Sequence, residues 1–522
     1  MTSPGWHEAT VGSELAGYLR ILQLAGRSQP YPWSVRGFSP REVDRLAPRD
    51  TLHPWARHLG RTGPPRYLSP RVSFLRPEAR IIYNTTFPWA HGDGVAWAGV
   101  GPTTVARAGV QARFGPLSLT LAPIAFQAEN DAFVLMDNGQ DGDRRFASAL
   151  STEIDLPQRF GDRPYARLDP GQSTVRLDLP LVAAGISTAT QVWGPGLSQP
   201  LVLGDAGPGF PHVFIGTSVP LNLWIVRVHG RLMVGRLEQS AYSPTPADSG
   251  DRLAAGFVAT VSPRWTPGLE IGVTRFYHQR WPAVGARLDD LLLPFQGLFL
   301  SDAYWLRKYD PSSPDYTPEN QLASVFARWV FPRSGGEVFG EFLRDDRNHD
   351  TRDLIAEPDQ QSAFVVGFQK LLRCAPTSYA VLRGELVSNR ITYLGLLRIQ
   401  PRLYTHTALY QGHTHRGIAL GSAFAAVGGT GGTIALDVYR PDGRWTVEGT
   451  RVARHAVADP YGVPLSRADA AYALRAERLV FRGGWEFLAA ATAILDLQRN
   501  FRDDGFSLRL DLGTRLALRG SP

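Results

Sequence analysis

Leu508-Arg509-Leu510-Asp511-Leu512-Gly513-Thr514-Arg515-Leu516-Ala517-Leu518 alternates with a period of two. Successive side chains of a strand point to opposite faces, so the leucines and Thr514 share one side. Arg509, Asp511, Gly513 and Arg515 share the other. The run is about ten residues long, the length a tilted strand needs to cross a bilayer and about twice a soluble strand. The same period recurs in Val175, Leu177 and Leu179 against Arg176 and Asp178, and in Trp445 to Thr450. Further segments lie near 103–114, 116–127, 222–230, 231–239, 253–263, 268–278, 322–332, 335–344, 361–372, 378–388, 391–399, 470–481 and 484–496. One apolar face toward lipid and one polar face toward a wet lumen is the pattern of a transmembrane barrel.

Aromatic residues sit near segment ends: Trp265, Phe276-Tyr277, Trp281, Trp329, Phe331, Trp445 and Trp485. A bilayer places its interfacial belts there. Many strands follow one another without a helical crossover, so the sheet is expected to be antiparallel and closed. Residues 280–320 and 451–467, rich in Pro, Asp and Tyr, read as long extracellular loops. At roughly 25 residues per strand and connection, about 18 strands are expected. The fold class is therefore all-β, a large closed antiparallel transmembrane barrel over 71–522.

Residues 1–70 differ. Leu15, Leu19, Ile21, Leu22 and Leu24 fall at helical spacing, with Gly26 as a stop. Ser39-Pro40-Arg41-Glu42 reads as an N-cap, a proline at the first helical position and an acidic first turn. His53 to Leu59 fits another short helix. These helices are expected to plug the periplasmic end, the strand period taking over around Arg80.

Composition excludes other classes. Hydrophobic residues at 43%, charged residues at 20% and a mean hydropathy of -0.17 fit neither a disordered chain nor a bundle of membrane helices. The charge-free stretches 179–204, 206–226 and 417–436 are broken by prolines or glycines. The last reads as two strands joined through Gly428 to Gly432. A net charge of +7, carried almost wholly by arginine, suits an anionic polysaccharide or lipopolysaccharide partner. No Lys/Arg block or nucleic-acid motif accompanies it, so no nucleic-acid partner is expected. Cys374 is alone, which rules out an intramolecular disulfide. Met1-Thr-Ser-Pro-Gly-Trp6 lacks the features of a secretory leader. For an exported chain, the expectation is a leader already removed or a start downstream of it.

No catalytic constellation stands out. His413 and His415, with His406 nearby, lack a carboxylate or cysteine at metal-ligand spacing, so no metal is expected. Gly428-Gly429-Thr430-Gly431-Gly432 has no following Lys-Ser/Thr and reads as a strand turn. Gly185-Ile186-Ser187 lacks the second glycine of a nucleophile elbow. Asp289-Asp290 and Asp345-Asp346 lie in polar loops, with nothing aiming them at a glycosidic bond. The chain is expected to be a non-enzyme without cofactors.

Two stretches crowd aromatic, glycine and amide or acid groups. One is Tyr83 to Trp89 followed by His91-Gly-Asp93-Gly-Val-Ala-Trp97-Ala-Gly-Val-Gly101. The other is Gln191-Val-Trp193-Gly-Pro-Gly196 with Leu203-Gly-Asp205-Ala-Gly-Pro-Gly-Phe210-Pro-His212. Aromatic faces stack on pyranose rings while acids and amides bond hydroxyls, and such loops also build rigid plugs. Asp93, Trp97, Trp193, Asp205, Phe210 and His212 are the candidate polysaccharide-binding residues.

Trp193-Gly-Pro-Gly196 with the Ala-x-Pro element near 205–211 resembles the Wzi-type capsule-assembly family. So do the Asp93-Gly94 to Trp97 to Gly101 run, Tyr31-Pro-Trp-Ser-Val-Arg36 and His53-Pro-Trp55. The sharp motifs cover the first 220 residues or so. Departures are Gly204-Asp205 for an Asn-Asn pair, Ala98-Gly-Val-Gly101 for Gln-Gly-Arg-Gly, and Arg519-Gly-Ser-Pro522 for a terminal aromatic. The resemblance implies a monomeric outer-membrane barrel that binds capsular polysaccharide and helps assemble or anchor it, without covalent chemistry. A porin-like channel for small solutes and an outer-membrane carbohydrate-active enzyme are the alternatives.

Overall fold

The computed structural model describes the chain except for residues 1–8, 49, 60–70, 91, 245–249, 284, 299–311, 314–316, 346–360, 390–401, 456–467 and 517–522. Leu518, the 391–399 segment, the terminal Arg519 to Pro522, His91, Asp346 and much of the two long polar connections lie outside the described residues. The strands form one closed antiparallel barrel of 18. They are β1 (Arg71–Asn84), β2 (Gly101–Phe114), β3 (Leu117–Leu121 with Ile124–Ala128), β4 (Tyr165–Asp169 with Thr174–Asp178), β5 (Val182–Ser187) and β6 (His212–Thr217 with Leu221–Leu223). Then come β7 (Val226–Leu237), β8 (Arg252–Pro263), β9 (Leu269–Arg280), β10 (Glu319–Phe331), β11 (Gly336–Asp345) and β12 (Ser362–Ala375). The last are β13 (Ser378–Ser388), β14 (Gly429–Arg440), β15 (Gly443–His455), β16 (Ala468–Arg482), β17 (Trp485–Arg499) and β18 (Asp503–Leu516). Closure comes from β1 pairing with β18, Glu78 opposite Arg515 through to Asn84 opposite Arg509.

The alternation read from the C-terminus holds in space. Leu510 and Leu512 are exposed on the outer wall, Leu512 at 58%, while Arg509 and Asp511 are fully buried in the lumen. Three boundaries differ from the sequence reading. The first strand begins at Arg71, well before Arg80. The 222–230 and 231–239 segments are one strand, β7, because Trp224 and Ile225 form the turn after β6. Gly429 to Gly432 are not a turn but the start of β14. Small residues are needed there because Phe424 folds back onto them: a Cβ on Gly431 would meet its ring at 2.6 Å.

Short turns close one end of the barrel, and the other carries the long connections together with the short 500–502 turn between β17 and β18. In barrels of this kind the short turns face the periplasm. The helices sit inside that end. α1 (Glu14–Leu24) is capped by Ser13, whose hydroxyl accepts from Ala16 N at 3.2 Å. α2 (Pro40–Leu46) carries the full capping box, Ser39 and Glu42 bonding each other's backbone. α3 (Ala56–Leu59) follows Trp55, whose ring stacks on Tyr18 at 4.2 Å. This apolar cluster packs against Val330, Leu371, Tyr379, Tyr439 and Leu479, all near the short-turn ends of their strands.

Charge holds the plug to the wall. Glu337 on β11 accepts from Arg20 of α1 at 2.9 Å and from Arg328 of β10 at 2.8 Å, all three buried. Glu270 on β9 takes the backbone N–H groups of Trp33 and Ser34 at 2.9 and 3.0 Å. Glu14 of α1 pairs with Arg444 at 2.5 Å, and Arg444 also pairs with Glu477. From there the chain of pairs runs through Arg475, Asp511 and Arg509 to Asp93, beyond the outer end of β1.

Two outcomes follow from this arrangement. Leu512→Arg, placing a cation against lipid, should cost about 2–4 kcal/mol of folding stability in bilayers. Glu337→Gln leaves Arg20 and Arg328 without their shared counter-charge. It should cost about 3–5 kcal/mol in urea unfolding, against little for Glu337 substituted together with both arginines by apolar residues.

Candidate functional site

Trp193-Gly-Pro-Gly196 sits mid-lumen, where plug and wall meet. Val35 and Arg36 pair with Trp193 and Val192 in a two-residue ribbon. Gly194 has a left-handed φ of +96°, and a Cβ there would collide with the Glu341 carboxylate at 2.5 Å. The carbonyls of the motif face arginines of the plug: Arg36 donates to Gly196 O at 2.6 Å and Arg20 to Pro195 O at 2.8 Å. The N–H groups that follow face wall carboxylates, Leu197 and Ser198 donating to Glu385 at 2.8 Å and Leu201 to Glu341 at 3.3 Å. The prolines and glycines thus give a backbone that offers acceptors to one partner and donors to the other.

The six candidate residues fall into two groups. Trp193 is fully buried, and the bare backbone of Gly256 on β8 leaves room for its ring. It meets Phe276 edge-on at 6.2 Å, as does buried Phe210 at 6.4 Å. His212, also buried, donates from Nδ1 to Phe210 O at 2.7 Å. Asp205 faces the plug, where burial raises its carboxyl above the usual value while Arg36 pulls it down. The second group lies toward the outer end. Burial opposes ionisation of Asp93, but Arg509 and Arg80 hold its carboxyl well below the usual range. Trp97 donates from Nε1 to Asn130 Oδ1 at 3.1 Å and packs on Phe160. The structure joins Trp193, Phe210 and His212 but does not bring Asp93 and Trp97 to them.

Both groups brace loops. Asn130 holds the 129–164 loop by donating to the carbonyls of Phe160, Gly161 and Arg163. The 193–210 stretch holds the 402–428 loop. His413 Nε2 donates to Val202 O at 2.7 Å, Tyr404 hydroxyl to Leu201 O at 2.5 Å, and Gly204 N to Leu420 O at 2.7 Å. Burial pushes His413 down to about 4, so it stays neutral. His415 instead accepts at Nδ1 from Glu238 N. Among the described residues no three His, Cys, Asp or Glu side chains gather as a metal would need. Ser187 lies on β5, bonded to Thr174 at 2.7 Å, and Asp289-Asp290 stand in the first turn of a 3-10 helix (Leu288–Leu298), where Asp290 accepts from Arg287 N at 2.7 Å.

The braced loops meet at the long-connection end around a cleft of about 420 Å³ that sequence reasoning missed. Asn138, Gln140 and Arg144 line it from the first loop, Tyr410 and Gln411 from the second, and Arg280 from the end of β9. Asp155 N donates to Gln411 O at 3.0 Å, tying the two loops together. Amides, two arginines and an exposed tyrosine, with no acid among the described lining residues, are groups able to hold a sugar. The available signal was the 128–164 stretch, dense in Asn, Gln and Asp and without a period of two.

These features define an outer-membrane β-barrel whose lumen is occupied from both ends. The barrel shares its fold with Wzi of Escherichia coli, described as an outer membrane protein involved in group 1 capsule assembly and a carbohydrate-binding β-barrel. The TM-score is 0.64 at 12% identity, over 98% of this chain and 99% of that one. Two solved barrels are more distant: OccAB2 of Acinetobacter baumannii (TM-score 0.43, 8% identity, 85% of this chain and 97% of that one) and OprD of Pseudomonas aeruginosa (0.41, 10%, 87% and 95%). No protein-family profile and no curated relative matches the chain.

Because Trp193 is fully enclosed, Trp193→Ala should act on stability. A loss of about 3–5 kcal/mol is expected in thermal or urea unfolding, with a lowered temperature of heat-modified gel migration. A variant of unchanged stability would place the ring in a ligand site instead.

Proposed function

We propose that the protein binds capsular or another surface polysaccharide at its outer cleft and helps assemble or anchor it on the cell, without covalent chemistry. The occupied lumen carries this reading. The helices fill the short-turn end, and the 188–211 and 402–428 segments fold inward from the other to share one buried cluster with the wall. A barrel so filled serves as a rigid platform for its loops. The cleft is the binding element, and Asp93, Trp97, Trp193, Asp205, Phe210 and His212 set the loops around it. The shared fold with Wzi, a carbohydrate-binding barrel, supports the same reading.

Intact protein in planar bilayers should show little current, and deletion of residues 9–59 should raise it; large currents from the intact chain would favour a solute channel. Tyr410→Ala should weaken polysaccharide binding about fivefold through loss of a stacking contact of about 1 kcal/mol, with folding unchanged. Affinity for an acidic polysaccharide should fall as salt rises, since the cleft arginines are exposed and screened over roughly 10 Å at 0.1 M. Shortening of the polysaccharide by purified protein would replace binding with catalysis.

A further inference from the structure

The outward faces of β13 to β18 carry a concave region of about 650 Å³. Its floor is Gly432, Gly449 and Ala493; its rim is Leu386, Ile434, Leu474, Leu495 and Phe506, all exposed. The register puts Gly432 opposite Arg451 and Ile434 opposite Gly449, so small and large residues alternate across neighbouring strands. Nothing in the backbone demands glycine at 449. Its φ is not left-handed, and an added Cβ would touch only the Ile434 methyl at 3.7 Å. The hollow is open where filling it would be sterically free.

Arg451 stands at the margin nearest the long-connection end, on the same outward face as Trp445 and Val447. Its guanidinium packs over the Tyr472 ring at 5.9 Å, and Nε donates to the Tyr472 hydroxyl at 3.4 Å. No carboxylate among the described residues pairs with it. Glu385, whose backbone lines the hollow, turns its own carboxylate inward to Leu197 and Ser198. A cation on the lipid face is costly in hydrocarbon and favourable only at the headgroup level, beside an anion. Tyr472 is the residue type that marks that level.

We propose that this groove holds an acyl chain of a phosphorylated glycolipid of the outer leaflet, with Arg451 on its phosphate. Apolar concavity selects the chain, and the arginine at the outer margin selects the charge. This site is separate from the polysaccharide cleft and stands whether or not that reading holds.

The test is native mass spectrometry of the delipidated full-length barrel in detergent, titrated with phosphorylated lipid A, the same lipid without phosphates, and phosphatidylethanolamine. The wild type should retain phosphorylated lipid A over both others. Gly449→Leu, which fills the floor, should lower its retention about tenfold. Arg451→Gln should still bind but lose the preference for the phosphorylated form. Heat-modified gel migration confirms folding of each variant, and Ala493→Leu fills the same floor should Gly449→Leu fail to fold. Unchanged retention in the filled variants, unchanged phosphate preference in Arg451→Gln, or equal binding of phosphatidylethanolamine would overturn the proposal. So would a dimer of the chain that is lost on filling the groove.

Discussion

The inner faces of the strands carry Glu270, Glu337, Glu341, Glu385, Arg328, Arg475, Arg509 and Asp511, all nearly or fully enclosed. Burying such charges without partners is prohibitive, so whatever fills the lumen must answer them group by group. α1 answers with Arg20 and Glu14, the following segment with the N–H groups of Trp33 and Ser34, and the outer loops with Asp93 and the backbone of 194–201. The line of pairs from Glu14 to Asp93 ties the plug to the opposite end of the barrel. A wall built for water would not need this pattern; a wall built to hold a plug does.

The Trp-Gly-Pro-Gly motif is the point where these demands meet. Plug arginines take its carbonyls, wall carboxylates take its following N–H groups, and Trp193 and Phe210 fill the apolar space around Phe276. Its downstream residues then fix the 402–428 loop, as Trp97 fixes the 129–164 loop through Asn130. Rigidity made inside the barrel is delivered at the mouth, where preorganised loops would lower the ordering cost of the proposed binding.

The outside of the barrel answers a different solvent. Leucine, isoleucine, valine and phenylalanine cover it, and aromatic residues such as Trp445 and Trp485 stand near the short-turn margin. Against that surface, an exposed arginine beside a glycine-floored hollow is a local departure, and departures from the lipid-facing rule mark places where something other than bulk hydrocarbon sits.

Period two in 508–516, the aromatic margins and the helical spacing of 15–24 were enough to read a large barrel with a helical opening. Lipid outside and charge inside force that alternation onto every strand, and a local pattern survives in the sequence. The capping signals of Ser13 and Ser39 were legible for the same reason, since their partners lie within one turn. Gly429 to Gly432 were misread because the reason for their glycines, the return of Phe424, is a tertiary contact. The six candidate residues were legible only as a motif: aromatic and acidic groups between glycines look alike whether they face a sugar or a buried wall. The fold decided that Trp193 and Phe210 face the wall, and that Tyr410, Arg144 and Arg280, distant in sequence and individually unremarked, share a cleft. Strand alternation is a short-range consequence of solvent, whereas a cleft is made by loops meeting across a barrel, and no local pattern encodes that meeting.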